Sequence, residues 1–90
     1  MPYFVYILMS RKDRCLYVGC THNIEQRVIR HQNGAVIATR NRRPLVLIHT
    51  ERFPDKTSAF NRERFLKSLW GAREKKKFLK DYINKTGHTF

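Results

Sequence analysis

Two runs of β-branched and aromatic residues, Pro2–Met9 and Cys15–Cys20, are separated only by the polar stretch Ser10–Arg14. Such runs are strand formers, and so short a link reaches only an antiparallel neighbour, so the chain opens with a β-hairpin. The hairpin sets Tyr6 and Tyr17 on adjacent strands. One further run, Leu45–Glu51, has strand character. Its alternation puts Leu45, Leu47 and His49 on one side and Val46, Ile48 and Thr50 on the other. Three strands cannot close a barrel, so the sheet must be open and packed against helices.

Thr21, His22 and Asn23 offer helix N-caps, and Asn23 with Gln26 has the spacing of a capping box. A helix is predicted from about Ile24 to His31, with a thin apolar stripe of Ile24 and Val28 and with Arg27 and His31 beside it. From Gln32 to Arg43 no period is sustained, and Gly34 and the cluster Arg40–Arg43 before Pro44 mark a loop. Thr57 or Ser58 can cap a second helix through about Trp70, which Gly71 ends. A third, from Arg73 to about Asn84, places Phe78, Leu79, Tyr82 and Ile83 on one face and lysines opposite. The expected class is α+β: a small three-stranded antiparallel or mixed sheet flanked by helices in the order β-β-α-β-α-α. Residues 1–90 should form a single domain, and so short a chain is expected to be too small for three layers.

Nineteen Lys and Arg against seven Asp and Glu give a formal charge of +12. With 41% hydrophobic residues the chain is too apolar for a charge-driven disordered tail. Cations gather at Arg40–Arg43, Arg62–Arg64 and Arg73–Lys80, the footprint of a phosphate-backbone binder. The plainer account is a solvated face kept for solubility. Nucleic acid is favoured over acidic lipid, because no basic helix carries an apolar face wide enough for membrane insertion. No run approaches the length of a membrane span, and no basic segment precedes the first apolar run as a secretory signal requires, so the cytoplasm is the expected location. Cys15 and Cys20 on one strand lie about 16 Å apart, too far for a disulfide. Together with His22 and His31 they lack the second tight pair of a zinc site.

Some residues fit a structural role poorly. On a helical wheel Ala59, Phe60, Leu66, Leu69 and Trp70 form one apolar arc, and Glu63 falls inside it. An unpaired carboxylate there costs several kcal/mol, so Glu63 must pair with a cation, bind a metal or lie at a cleft mouth. Arg27 and His31 project beside a buried stripe, where arginine commonly snorkels and histidine is commonly structural. Tyr3, Tyr6 and Tyr17 are equally good core residues.

Taken together, these residues resemble a known family. Phe4-Val5-Tyr6 and, ten residues on, Tyr17-Val18-Gly19 resemble the paired tripeptides of the GIY-YIG nuclease domain, with Phe and Val replacing the usual Gly and Ile. The resemblance continues through Gly19–Thr21, Asn23–Arg27, Arg30-His31, Arg40–Pro44 and Arg62-Glu63 before Phe65–Lys67, covering about residues 3 to 80. Within the superfamily the chain is similar to small single-domain bacterial members related to the nuclease domain of the excision-repair subunit UvrC. The resemblance implies a three-stranded antiparallel sheet and metal-dependent phosphodiester hydrolysis. It assigns catalytic places to Tyr6, Tyr17, Arg27, His31 and Glu63. Asn84, the one candidate for a late asparagine of some members, aligns poorly and is left outside the site.

The chemistry gives each residue type a reason. Glu63 can hold one hydrated Mg²⁺ or Mn²⁺, since Mg²⁺ keeps most of its waters and takes one or two carboxylates. Arg27 offers a planar, permanently charged fork to phosphate oxygens. Tyr6 is the first candidate for general base, which requires nearby cations to favour its phenolate; Tyr17 would order water or phosphate, and His31 is a helper or alternative base. Arg40, Arg42, Arg43, Lys67 and Lys76 are the expected nucleic-acid contacts. The resulting expectation is a metal-dependent DNA endonuclease of low specificity in repair or maintenance, with RNA left open. It would be a monomer rather than a dimer, directed by a targeting partner because no recognition domain is appended. The alternative is a nucleic-acid-binding module whose nuclease site is vestigial or partner-dependent.

Overall fold

The computed structural model describes residues 1–87. Strands β1 (Tyr3–Ser10), β2 (Leu16–Thr21) and β3 (Leu45–Phe53) and helices α1 (Ile24–Gln32), α2 (Lys56–Lys67) and α3 (Ala72–Thr86) follow in the expected order. Short 3-10 turns at Arg40–Arg42 and Leu69–Gly71 punctuate the connections, the first within the stretch expected to be loop. The sheet has the order β2-β1-β3 and both pairings are antiparallel, an α+β fold. No helix among the described residues is long and apolar enough to cross a membrane.

β1 lies in the centre, and every residue from Val5 to Ser10 is buried. Val5, Ile7 and Met9 pack on one face with Val18, Ile48, and Ala59 and Leu66 of α2, and Phe78, Leu79 and Tyr82 of α3 close over them. Tyr6 and Leu8 point the other way, toward Leu45 and the α1 residues Ile24 and Val28. Helices therefore cover both faces. The expectation that the chain is too small for three layers is corrected: each outer layer is only one or two helices, and a three-stranded sheet needs no more to exclude water. Truncating Leu66 to alanine in this core should cost about 2–5 kcal/mol.

The register of β3 against β1 shifts between Ile7, which faces His49, and Leu8, which faces Leu47. The extra residue, Ile48, breaks the alternation expected from sequence. Leu45 and Leu47 join the Tyr6 cluster, whereas His49 crosses to the other face and stacks on Phe78 at 3.6 Å. There its Nε2 meets a Glu51 carboxylate oxygen at 2.8 Å. Arg62 of α2 donates from Nε and Nη2 to Glu51 at 2.8 and 3.0 Å, and from Nη1 to Glu74 of α3 at 2.8 Å. Burial pushes the Glu51 carboxyl up, but hydrogen bonds from Arg62 and His49 outweigh it and hold it below the ordinary glutamate range. One guanidinium thus ties β3, α2 and α3 together and fixes the rotation of α2, which carries the adjacent Glu63.

Two helix ends differ from expectation. α2 is capped by Asp55, whose Oδ1 accepts from the Ser58 backbone N–H at 2.8 Å, two residues before Thr57 and three before Ser58, the caps expected from sequence. It also stops at Lys67, because Ser68 is extended and Gly71 packs on the end of the helix, where a Cβ would lie 2.5 Å from Leu66 Cα. The chain turns there, and Leu69 and Trp70 leave the apolar arc and stand 93% and 83% exposed. α1 begins as expected, with Asn23 Oδ1 accepting from the Gln26 N–H at 3.0 Å.

Candidate active site

Tyr6 is paired with Gly19 across the hairpin, and its ring passes directly over that glycine. A Cβ at position 19 would lie 2.2 Å from the Tyr6 hydroxyl, so the glycine is what lets the phenol cross β2 toward the sheet edge. There the hydroxyl meets Nε2 of His31 at 3.0 Å, and Nδ1 of the same ring meets Thr39 Oγ1 at 2.7 Å. Tyr6, His31 and Thr39 are all fully buried. α1 brings in the imidazole, and the loop after it brings in the threonine just before the Arg40–Arg42 turn.

Proton positions follow from the chemistry of the groups. A phenol is far more acidic than an aliphatic alcohol, so Tyr6 is the better donor to imidazole. Tyr6 O–H therefore donates to Nε2, and Nδ1–H donates to Thr39 Oγ1. Burial, with the nearby charge of Arg27 and then of Arg30, holds the His31 pKa below the ordinary imidazole value and keeps the ring neutral. Burial, with Tyr17, also drives the Tyr6 pKa up; Arg27 pulls against this by charge and hydrogen bonding without overcoming it. Of the cations that could favour a Tyr6 phenolate, Arg27 by itself does not suffice. At rest the pair is neutral phenol and neutral imidazole, because desolvation outweighs a single guanidinium.

Tyr17 completes an aromatic triangle, its ring centroid 5.1 Å from that of His31 and 6.4 Å from that of Tyr6. Arg27 and Glu63 both act electrostatically on the Tyr6 hydroxyl and on the Cys20 thiol. Burial, then Glu63, raises that thiol, so Cys20 is protonated and serves as packing. α1 and α2 lie on opposite faces of the sheet, and their two charges converge around its β2 edge. Tyr6, Tyr17 and His31 are in contact there, and Arg27 and Glu63 lie within electrostatic reach of Tyr6.

The Glu63 side chain is 15% exposed and pairs with the more exposed Lys67 at 3.1 Å, one helical turn on. The simple ion-pair account of Glu63 is therefore realised in part, with Lys67 as the cation. No group of three or more His, Cys, Asp and Glu that could hold a metal occurs among the described residues. A lone carboxylate facing the site suits a cation that retains most of its waters and not a closed zinc centre.

The expected nucleic-acid contacts fall into different settings. Arg40 Nε donates to the Gly34 carbonyl at 2.8 Å, and Arg43 Nε to the Arg40 carbonyl at 2.9 Å, so both guanidiniums brace their own loop. Arg42 pairs with Asp13 at 3.2 Å. Lys67 is the partner of Glu63, and Lys76 is exposed on α3. Thr39 escaped the sequence reading, since an isolated threonine in a loop without period carries no signal; only its hydrogen bond to His31 singles it out.

Comparison with known proteins agrees with this architecture. The model of the GIY-YIG catalytic domain matches residues 2–77, and the chain belongs to the GIY-YIG family. That family is one of nucleases, generally dependent on a divalent metal, and its substrates are nucleic acids. Among small relatives, the chain is 44% identical to a UPF0213 protein of Natronomonas pharaonis over 75 residues, 82% of this chain and 87% of the relative. It is 43% identical to one from Clostridium perfringens over 67 residues, 73% of this chain and 71% of the relative. A UPF0213 protein of Bacillus halodurans, solved by solution NMR, shares the fold with a TM-score of 0.52 and 34% identity, over 89% of this chain and 84% of that one.

Proposed function

We propose that the protein is a divalent-metal-dependent endonuclease that hydrolyses DNA phosphodiester bonds in repair or maintenance, with the β2 edge as its catalytic site. The observation that carries this reading is the buried Tyr6–His31–Thr39 chain, which reaches the edge where Arg27 and Glu63 converge.

In the proposed mechanism a scissile phosphate docks on the Arg27 fork, and its negative charge offsets the guanidinium that disfavours protonated His31. Tyr6 then accepts a proton from the attacking water while passing its own to His31 Nε2, so the phenol relays a proton without existing as a free phenolate. The Nδ1–H to Thr39 bond holds the tautomer that leaves Nε2 free to accept. Arg27 stabilises charge on the phosphoryl oxygens as water attacks in line, and Tyr17 orders water or phosphate beside the ring of His31. Glu63 would hold Mg²⁺ or Mn²⁺, the ion supplying neutralisation of charge at the leaving oxygen. Lys67 would exchange its ion pair with Glu63 for a phosphate contact.

The test is cleavage of a labelled panel of supercoiled plasmid, duplex, single-stranded, flap and branched DNA and one RNA, with Mg²⁺, Mn²⁺ or EDTA. Metal-dependent cutting lost in Arg27→Ala supports the reading and ranks the substrates. Tight binding with no cutting of any substrate would leave a nucleic-acid-binding module.

A further inference from the structure

Tyr17 and Thr39 also line a cleft of about 550 Å³ bounded by Leu16, Arg42, Lys75 and Lys76. Its volume falls within the roughly 300–1,000 Å³ of small-ligand pockets. Its chemistry is one-sided: three cations stand around it, and among the described residues no carboxylate lines it. Arg42 is partly committed to Asp13. The ammonium groups of Lys75 and Lys76, by contrast, have no hydrogen bond or ion pair to another described residue. Unpaired cations beside an apolar wall are the features that a phosphate joined to a flat base would engage. Because Tyr17 belongs both to the aromatic triangle and to this cleft, the two are continuous.

We propose that the cleft is a nucleotide subsite. It receives the nucleotide adjoining the scissile phosphate on the substrate strand, with a phosphate between Lys75 and Lys76 and the base against the apolar wall. The inference rests on the nuclease reading above and adds a place for the flanking strand. It also separates the lysines of α3: Lys75 and Lys76 face the cleft, whereas Lys77 and Lys80 of the same helix do not line it.

The test compares the double variant Lys75→Ala/Lys76→Ala with the control pair Lys77→Ala/Lys80→Ala, both surface changes equal in charge. Binding of a fluorescein-labelled oligonucleotide is measured by anisotropy in EDTA from low to high salt. The cleft pair should weaken binding at least about 5-fold and reduce the salt slope by about 1 to 2, against a change under about 2-fold for the control. In the NMR spectrum, the dinucleotide dTpdT should shift the amides of Leu16, Ala38 and Leu45 in wild type and not in the cleft pair. In cleavage, KM should rise with kcat within about 2-fold. Equal losses in both pairs, or an unchanged slope, overturn the subsite in favour of a diffuse basic surface. The binding and NMR arms require no hydrolysis, so they test the subsite even if the cleavage panel fails, and an intact KM in an active enzyme overturns the subsite alone.

Discussion

The Tyr6 hydroxyl lies 3.0 Å from Nε2 of His31, a residue 25 positions away on a different element, with both side chains buried. Two groups that would each cost free energy if buried alone satisfy one another, and Thr39 satisfies the second imidazole nitrogen. The same geometry makes His31 the nearest acceptor for the Tyr6 proton. Structure and proposed chemistry therefore rest on the same bonds.

Tyr6→Phe removes the hydroxyl and keeps the ring over Gly19. Cleavage should fall about 10²- to 10⁴-fold, the range for loss of a general base, while DNA binding changes by less than about 2-fold. Initial rates on the best substrate of the panel, with anisotropy in EDTA, check both halves. Cleavage within about 3-fold of wild type would remove Tyr6 from proton transfer.

Thr39→Val is nearly isosteric but leaves His31 Nδ1–H without its acceptor. Activity should drop about 10- to 100-fold, as for other groups that orient a functional histidine, and Thr39→Ser should recover most of it. ¹⁵N chemical shifts of the His31 ring report the tautomer directly. If valine and serine lose equal activity, Thr39 serves packing and not orientation.

His31 is held neutral by burial and by Arg27 and Arg30, so its folded pKa lies below the ordinary value near 6.5. Between the two values the unfolded chain binds more protons than the folded one, and stability rises with pH. The contribution is fully present above about pH 6.5 and is lost as pH falls through that value toward the folded pKa. Urea midpoints measured from pH 7.5 to 5 should fall for wild type and flatten for His31→Gln. A His31→Gln profile as steep as wild type would assign the slope to other groups, of which the depressed carboxyl of Glu51 has the same sign but titrates lower.

Gly19→Ala introduces a Cβ 2.2 Å from the hydroxyl of a buried phenol. Overpacking of this kind costs about 1–3 kcal/mol, and here it must push Tyr6 away from His31. Stability and cleavage should fall together, and Gly19→Ala should cost less stability in a Tyr6→Ala background than in wild type, because the two positions collide. Full cleavage in Gly19→Ala would show that the ring position is not critical.

Much of this was legible in the sequence because local rules agree. Strand composition, a short polar link and the Asn23 cap gave the hairpin and α1, and Glu63 announced itself as a carboxylate in an apolar arc. That arc was itself partly wrong. Leu69 and Trp70 follow helical spacing, but tertiary packing of Gly71 against Leu66 turns the chain before they can join it. The bulge at Ile48 is likewise invisible, since a one-residue shift leaves no mark in a run of apolar residues, yet it decides that His49 faces Arg62's network and not the Tyr6 cluster. Thr39 and the state of Tyr6 depend on burial by distant elements, which no spacing encodes.

The most direct test of the central claim is plasmid and oligonucleotide cleavage by wild type and Glu63→Gln, each with Mg²⁺, with Mn²⁺ and with EDTA. Wild type should cut only with metal, and Glu63→Gln should lose at least about 10²-fold in rate while binding DNA as tightly as wild type. Cutting that persists in EDTA, or that survives unchanged in Glu63→Gln, would contradict a metal-dependent nuclease site at the β2 edge.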